Sequence, residues 1–216
     1  MKLYSYVLEK DAGAAPNPFY GHCTLAICKP AIRRNAHFGD WVVGTGNSKT
    51  GNDKLIYAMK VTEVMDFKNY FNDKRFEKKK PIFDNRDEYC HLGDNIYQPT
   101  ADGFNQLPSV HSKGSEENLK NKLHDLGEKL ENNRVLISDN FYYFGNHAVA
   151  LPNTLHSIIK KGRAHKFTSI NRKEIEEFEN FISSFEKGIN GEPNDLLTSK
   201  NILDIPCIKF NKCCED

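Results

Sequence analysis

The sequence has no apolar run approaching the length of a membrane span, and its first residues, MKLYSYVLEKD, carry charge where an export signal needs an apolar core. Both absences lead us to expect a chain that stays in the cytoplasm and keeps its six cysteines as thiols. Neither sign of charge prevails: 30 Lys and Arg against 29 Asp and Glu leave a formal net charge of +1, which excludes a nonspecific coat on DNA. No C-x-x-C pair, no G-x-S-x-G elbow and no internal repeat occurs. The glycine-rich stretch GTGNSKTGND lacks the Gly-Lys step of a phosphate loop, since Ser48 precedes Lys49, and a strand pattern follows it where a helix is required. These gaps argue against a structural zinc site, a serine hydrolase and an NTPase, and nothing in the chain calls for a metal or a cofactor.

What is present suits one folded unit. With 216 residues, 38% of them hydrophobic and 27% charged, the chain can bury a sizeable core, and we expect one domain over residues 1–188 followed by an irregular C-terminal extension over 189–216. LYSYVL, WVVG and LIYAMKVTEV are rich in aromatic and β-branched residues and read as strands, the last two as a hairpin around the glycine-rich loop. Leu119, Leu123, Leu126 and Leu130 recur at helical spacing, which predicts a buried helix face. Asn171 with Glu174 forms a capping-box pattern ahead of a helix whose apolar side is Ile175, Phe178, Phe181, Ile182 and Phe185. Cys23, Cys28 and Cys90 read as small buried apolar residues.

The segments able to recognise a ligand are polar, glycine-bearing and aromatic, each beside a strand: GDWVVGTG, GDNIYQ, SVHS, SDNFYYFGNHAVALP and KGRAH. Aromatic faces stack on bases, Asn, Asp and Ser read the hydrogen-bonding edge, and glycine admits a ligand close to the backbone. On that chemistry the candidate base or nucleotide pocket comprises Trp41, Gly44, Thr45, Gly46, Asp94, Asn95, Tyr97, His111, Ser138, Asn140, Tyr142, Tyr143, Phe144, Gly145 and Asn146. Phosphate contacts fall to Arg33, Arg34, Lys161, Arg163, His165 and Lys166. Alternation gives Phe141 and Tyr143 one face of their strand and Tyr142 and Phe144 the other, so one pair needs a second covering layer or a ligand.

In the same order, KLYSYVL, NPFYGHCTLAICKPAIRR, GDWVVGTG, LIYAMKVTEV, GDNIYQ, SVHS, VLISDNFYYFG and KGRAH give a chain that resembles the second subtype of the nucleotide-modification-associated domain family of bacteria and their viruses. The GDWVVGTG, loop, LIYAMKVTEV succession is also similar to PUA-like barrels, including the EVE and YTH groups that read modified bases. This resemblance implies an α+β fold built on a small, strongly bent β-barrel with flanking helices, and a role around modified nucleotides in a base-modification or phage-defence system. It favours a binding module for a modified base or nucleotide, free or in nucleic acid. The alternatives are a small hydrolase-like enzyme using Asp94, His111 or His165 as acid or base, and a subunit that binds protein partners of such a system through the Leu119 or Phe178 helices.

Overall fold

The computed structural model describes residues 1–83, 89–112, 115–160, 162, 165–168 and 172–196. Its largest sheet is assembled from β1 (Leu3–Val7), β3 (Trp41–Thr45), β4 (Lys54–Lys60), β9 (Asn140–Tyr143), β10 (Val149–Ala150), β11 (His165–Thr168) and β12 (Gly188–Ile189). The strands run in the order β11-β1-β3-β4-β9-β12, with β10 paired to β4. A second sheet joins β2 (Cys23–Leu25), β8 (Val135–Ser138) and β5 (Glu63–Met65), and a third is the hairpin of β6 (Tyr97–Thr100) and β7 (Gly103–Gln106). Among the described residues none of these sheets closes on itself, so the α+β class holds while barrel closure is not seen.

β3 and β4 form the expected antiparallel hairpin, with Val42 opposite Met59 and a register shift at Gly44/Thr45. Both read as continuous apolar runs because both faces of the sheet are covered. The pleat sends Tyr4, Tyr6, Val42, Ile56, Met59, Phe141 and Tyr143 into one core and Leu3, Trp41, Val43, Ala58, Tyr142 and Phe144 into another. The second core is roofed by α4 (Arg172–Ile182) through Ile175, Phe178 and Ile182, each buried side chain of this size contributing roughly 1.5–3 kcal/mol of transfer free energy. That helix is the second covering required by the Tyr142 and Phe144 face. Asn171, the expected cap, lies outside the described residues.

A third core packs α2 (Phe67–Asn72) on the β6–β7 hairpin and on Leu126 of α3 (Ser115–Leu126). Here the sequence pattern misleads: Leu126 is buried, but Leu119, Leu123 and Leu130 are exposed. The side of α3 that meets the body is polar, with Lys122 Nζ donating to the Phe104 carbonyl at 2.8 Å and Asn121 Nδ2 to the His111 carbonyl at 3.0 Å. Bonds from that face to backbone carbonyls orient the helix against its own apolar stripe.

The chain past residue 188 is part of the packed body as far as it is described. β12 pairs in parallel with β9, and Asn194 and Asp195 clasp Asp11, with the Asp195 amide donating to the Asp11 carbonyl at 2.8 Å.

β1 and β3 are parallel neighbours, so the chain between them must cross over. That crossover carries β2 and α1 (Pro30–Asn35), and it positions the site described next.

Candidate functional site

A cavity of about 690 Å³ opens between the start of the crossover, residues 8–15, and the segment from Ile27 to Ile32. Leu8, Ala14, Ile27 and Ile32 make its wall apolar, while Glu9, Lys10, Lys29 and His124 add charge and hydrogen-bonding groups. Its volume and mixed lining match a small-molecule site. A shallower hollow of about 430 Å³, beside Asp139, Phe141 and Lys187, has far less wall chemistry.

Cys28 lines the large cavity at the junction between β2 and α1. It and Lys29 both have left-handed backbone, φ 59° and 45°, a conformation that costs a non-glycine residue on the order of 1–3 kcal/mol. Two bonds fix the turn. The Cys28 amide donates to Asp125 Oδ1 at 2.7 Å, and Arg33 Nε donates to the Cys28 carbonyl at 2.8 Å.

Asp125, in the last turn of α3, is buried and collects the site together. Besides Cys28 it accepts from the Tyr97 hydroxyl at 2.8 Å, and the Arg33 guanidinium stands 3.7 Å away. His111 Nε2 lies 3.3 Å from Asp125 Oδ2. That contact is a close approach and not a well-aligned hydrogen bond, because Nε2 has no partner of hydrogen-bond geometry among the described residues. Cys28 Sγ, a His111 ring nitrogen and an Asp125 oxygen all fall within 4.8 Å of one another. His111 itself is oriented from behind: its amide donates to Ser109 Oγ, and its carbonyl accepts from Asn121.

Burial pushes the Cys28 thiol up to about 12, with Asp125 acting in the same direction and Lys29 and Arg33 opposing. Burial also works against the Asp125 carboxylate, but His111, Arg33 and Tyr97 together hold it below the usual carboxylate range. Burial lowers Lys29, whose ammonium sits 4.3 Å from the centre of the Tyr6 ring. In chemical terms the wall presents a protonated thiol and an imidazole, with the ionised Asp125 carboxylate buried behind them and Lys29 and Arg33 near enough to act on the thiol.

Of the residues expected at the site, His111 lines the cavity and Tyr97 supports it through Asp125. The other expected pocket residues lie elsewhere. Trp41 is 2% exposed beneath α4, edge-on to Phe178, and its indole donates to Glu179 at 3.0 Å. Tyr142 and Phe144 share its core, and Tyr143 is buried on the opposite face with its hydroxyl bonded to Asp11. A Cβ at Gly44 would stand 2.4 Å from the Tyr57 ring, and one at Gly46 2.4 Å from the Gly51 carbonyl, so both glycines serve close internal packing. Thr45 is buried against the Tyr6 carbonyl. Gly145 and Asn146 meet the backbone of Glu192.

Asp94 accepts from the Tyr70 and Thr24 hydroxyls, both at 2.7 Å, and Asn95 spans the Tyr70 and Phe76 carbonyls, which makes GDN an internal clamp. Burial raises Asp94 despite nearby Lys79. Ser138 is bonded to the Lys60 and Asn140 carbonyls.

Arg33 is fully buried, and its donors are committed to backbone carbonyls of Cys28, Asp125, Asn132 and Arg134, which removes it from phosphate contact. Arg34 is exposed and bonded to Asn132. Lys161 and Arg163 lie outside the described residues, and His165 and Lys166 contribute backbone to β11. Cys28 and Asp125 are what the sequence reading missed. Their signal, a cysteine directly before Lys-Pro at a strand end, says nothing of a partner 97 residues away.

The architecture is thus an open α+β scaffold with a ligand-sized cavity edged by a thiol and an imidazole that adjoin a buried carboxylate. The chain belongs to the family described as nucleotide modification associated domain 2, whose profile matches residues 1–200. No curated protein and no solved structure matches it. Among the described residues no helix is long and apolar enough to cross a membrane.

Proposed function

We propose that the protein binds a modified nucleobase or nucleotide in the cavity beside Cys28, as a component of a nucleotide-modification system. The observation that carries this reading is the cavity itself, about 690 Å³ with apolar walls and Glu9, Lys10, Lys29, His111 and His124 on its lining, in a chain of this family. The apolar wall suits a base, and Lys10 and Lys29 suit an anionic group such as a phosphate. Where the ligand is part of a nucleic acid, the basic segment Lys161, Arg163, His165 and Lys166 supplies backbone contacts.

Ala31 lines the cavity from the first turn of α1, so a large side chain there fills ligand space. Calorimetric titration with a panel of bases, nucleosides and nucleotides should show Ala31→Trp weakening the best ligand roughly tenfold or more, a change of about 1.4 kcal/mol. Undiminished affinity in a folded Ala31→Trp variant overturns the assignment of the cavity.

A further inference from the structure

We propose that Cys28 is a nucleophile and His111 its general base, with Asp125 as the positioning residue, and that the site hydrolyses an amide or ester on a nucleobase or nucleotide ligand. This rests on the reading of the cavity as the ligand site. The three groups come from separate parts of the chain, the crossover, the 109–112 turn and α3, and converge within 4.8 Å, Cys28 and His111 on the cavity wall and Asp125 buried behind them. Sequence distance makes that convergence a product of the fold. Nucleophilic catalysis asks for a nucleophile beside a base that is held by further groups: Cys28 and His111 are the first two, His111 is held through its backbone by Ser109 and Asn121, and Asp125 Oδ2 stands 3.3 Å from Nε2 as the third.

Charge separates this assignment from a metal site built on the same atoms. Asp125 is already engaged by the Cys28 amide, the Tyr97 hydroxyl and the Arg33 guanidinium, and Lys29 adjoins the thiol. A divalent cation inserted there adds positive charge beside two buried or half-buried cations. For an anion forming on sulfur the same two act favourably, against the larger opposing effect of burial and of Asp125. The resting thiol is protonated, so the proton leaves as the bond forms.

The atoms balance with water as the only co-reactant. His111 takes the Cys28 proton while sulfur bonds to the carbonyl carbon. The tetrahedral adduct expels the amine or alcohol, which receives that proton from His111. Water, deprotonated by His111, then attacks the thioester, releasing the carboxylic acid and returning the proton to sulfur.

The test uses p-nitrophenyl acetate as acyl probe on the full chain, reading p-nitrophenol release and intact mass. We expect a burst that leaves one acetyl group on Cys28, located by peptide mass spectrometry. Cys28→Ala and Cys28→Ser should abolish the burst with the melting temperature retained by at least one of them, and Cys90→Ala should not change it. His111→Gln should slow acetylation by roughly 10²-fold or more with the melting temperature retained. Acetylation that persists in both Cys28 variants, or proceeds at the wild-type rate in His111→Gln, overturns the proposal. So does stoichiometric zinc in the purified protein that is lost in Cys28→Ser. Ligand binding measured alongside keeps the two readings apart: binding without acetylation removes the nucleophile and leaves the cavity, whereas binding indifferent to Ala31→Trp removes the cavity.

Discussion

The two sides of the large sheet are held by different physics. Under α4, Trp41, Tyr142, Phe144, Phe178 and Ile182 pack an apolar layer, with Ser5 Oγ donating to the Ile158 carbonyl inside it and Lys60 meeting Glu179 at 2.7 Å at its rim. The crossover side, which bears the cavity, is fastened by buried polar groups. Arg33 and Asp125 hold the Cys28 turn, and Lys79 Nζ donates to Asn17 Oδ1 at 2.6 Å and to the Asn17 and His22 carbonyls. Apolar layers tolerate variation in exact position, while a buried polar network fixes its members at the cost of desolvating them. The α4 side is therefore a stabilising layer, while the crossover side adds to its own apolar core of Tyr4, Tyr6, Tyr57, Phe141 and Tyr143 a buried polar network where a site can be held to a defined geometry.

The largest effect that separates the two sides is expected at Trp41. Trp41→Ala should lose about 3–5 kcal/mol of folding stability and leave nucleotide affinity unchanged, measured by urea denaturation and calorimetric titration. Intact stability with affinity reduced by about 1–3 kcal/mol, the scale of one lost base stack, would return the site to the α4 side.

A smaller effect sharpens the polar side of the comparison. Burial lowers Lys79 to about 8, so between pH 8 and 10 the folded protein binds fewer protons at this site than the unfolded chain does. The desolvation penalty is therefore full below pH 8 and relieved as pH rises through that window. Measured as the difference from Lys79→Met, wild-type stability should rise between pH 8 and pH 10 by about 1–3 kcal/mol. Cys23 and Cys28, each pushed up to about 12, act in the opposite sense in both proteins and cancel in that difference. A difference that stays flat across the window shows that Lys79 is not desolvated as the fold implies.

This division also explains what the sequence discloses. The β3–β4 hairpin and the apolar side of α4 are legible because burial there is periodic, and periodicity survives in a sequence. The same logic fails at α3, where Leu119 and Leu123 face outward while Asn121, Lys122 and Asp125 turn inward to bond. At GDWVVGTG and SDNFYYFG, glycine and aromatics together look like a ligand wall. Yet Gly44 exists to admit the Tyr57 ring, and Trp41 to seat α4. Of the cavity's candidate residues His111 alone is legible in the sequence, because a thiol and a buried carboxylate that meet only through a crossover and a distant helix leave no local pattern.

The central claim is that ligand binds beside Cys28 and not against Trp41, and one titration tests it. Iodoacetamide labelling of Cys28 is followed by peptide mass spectrometry as nucleoside monophosphates are added, with the fluorescence of Trp41, the single tryptophan, recorded in the same samples. The structure predicts that the bound nucleotide protects Cys28 in a saturable manner and leaves Trp41 emission unchanged. Saturable quenching of Trp41 with Cys28 labelled at the ligand-free rate would contradict it.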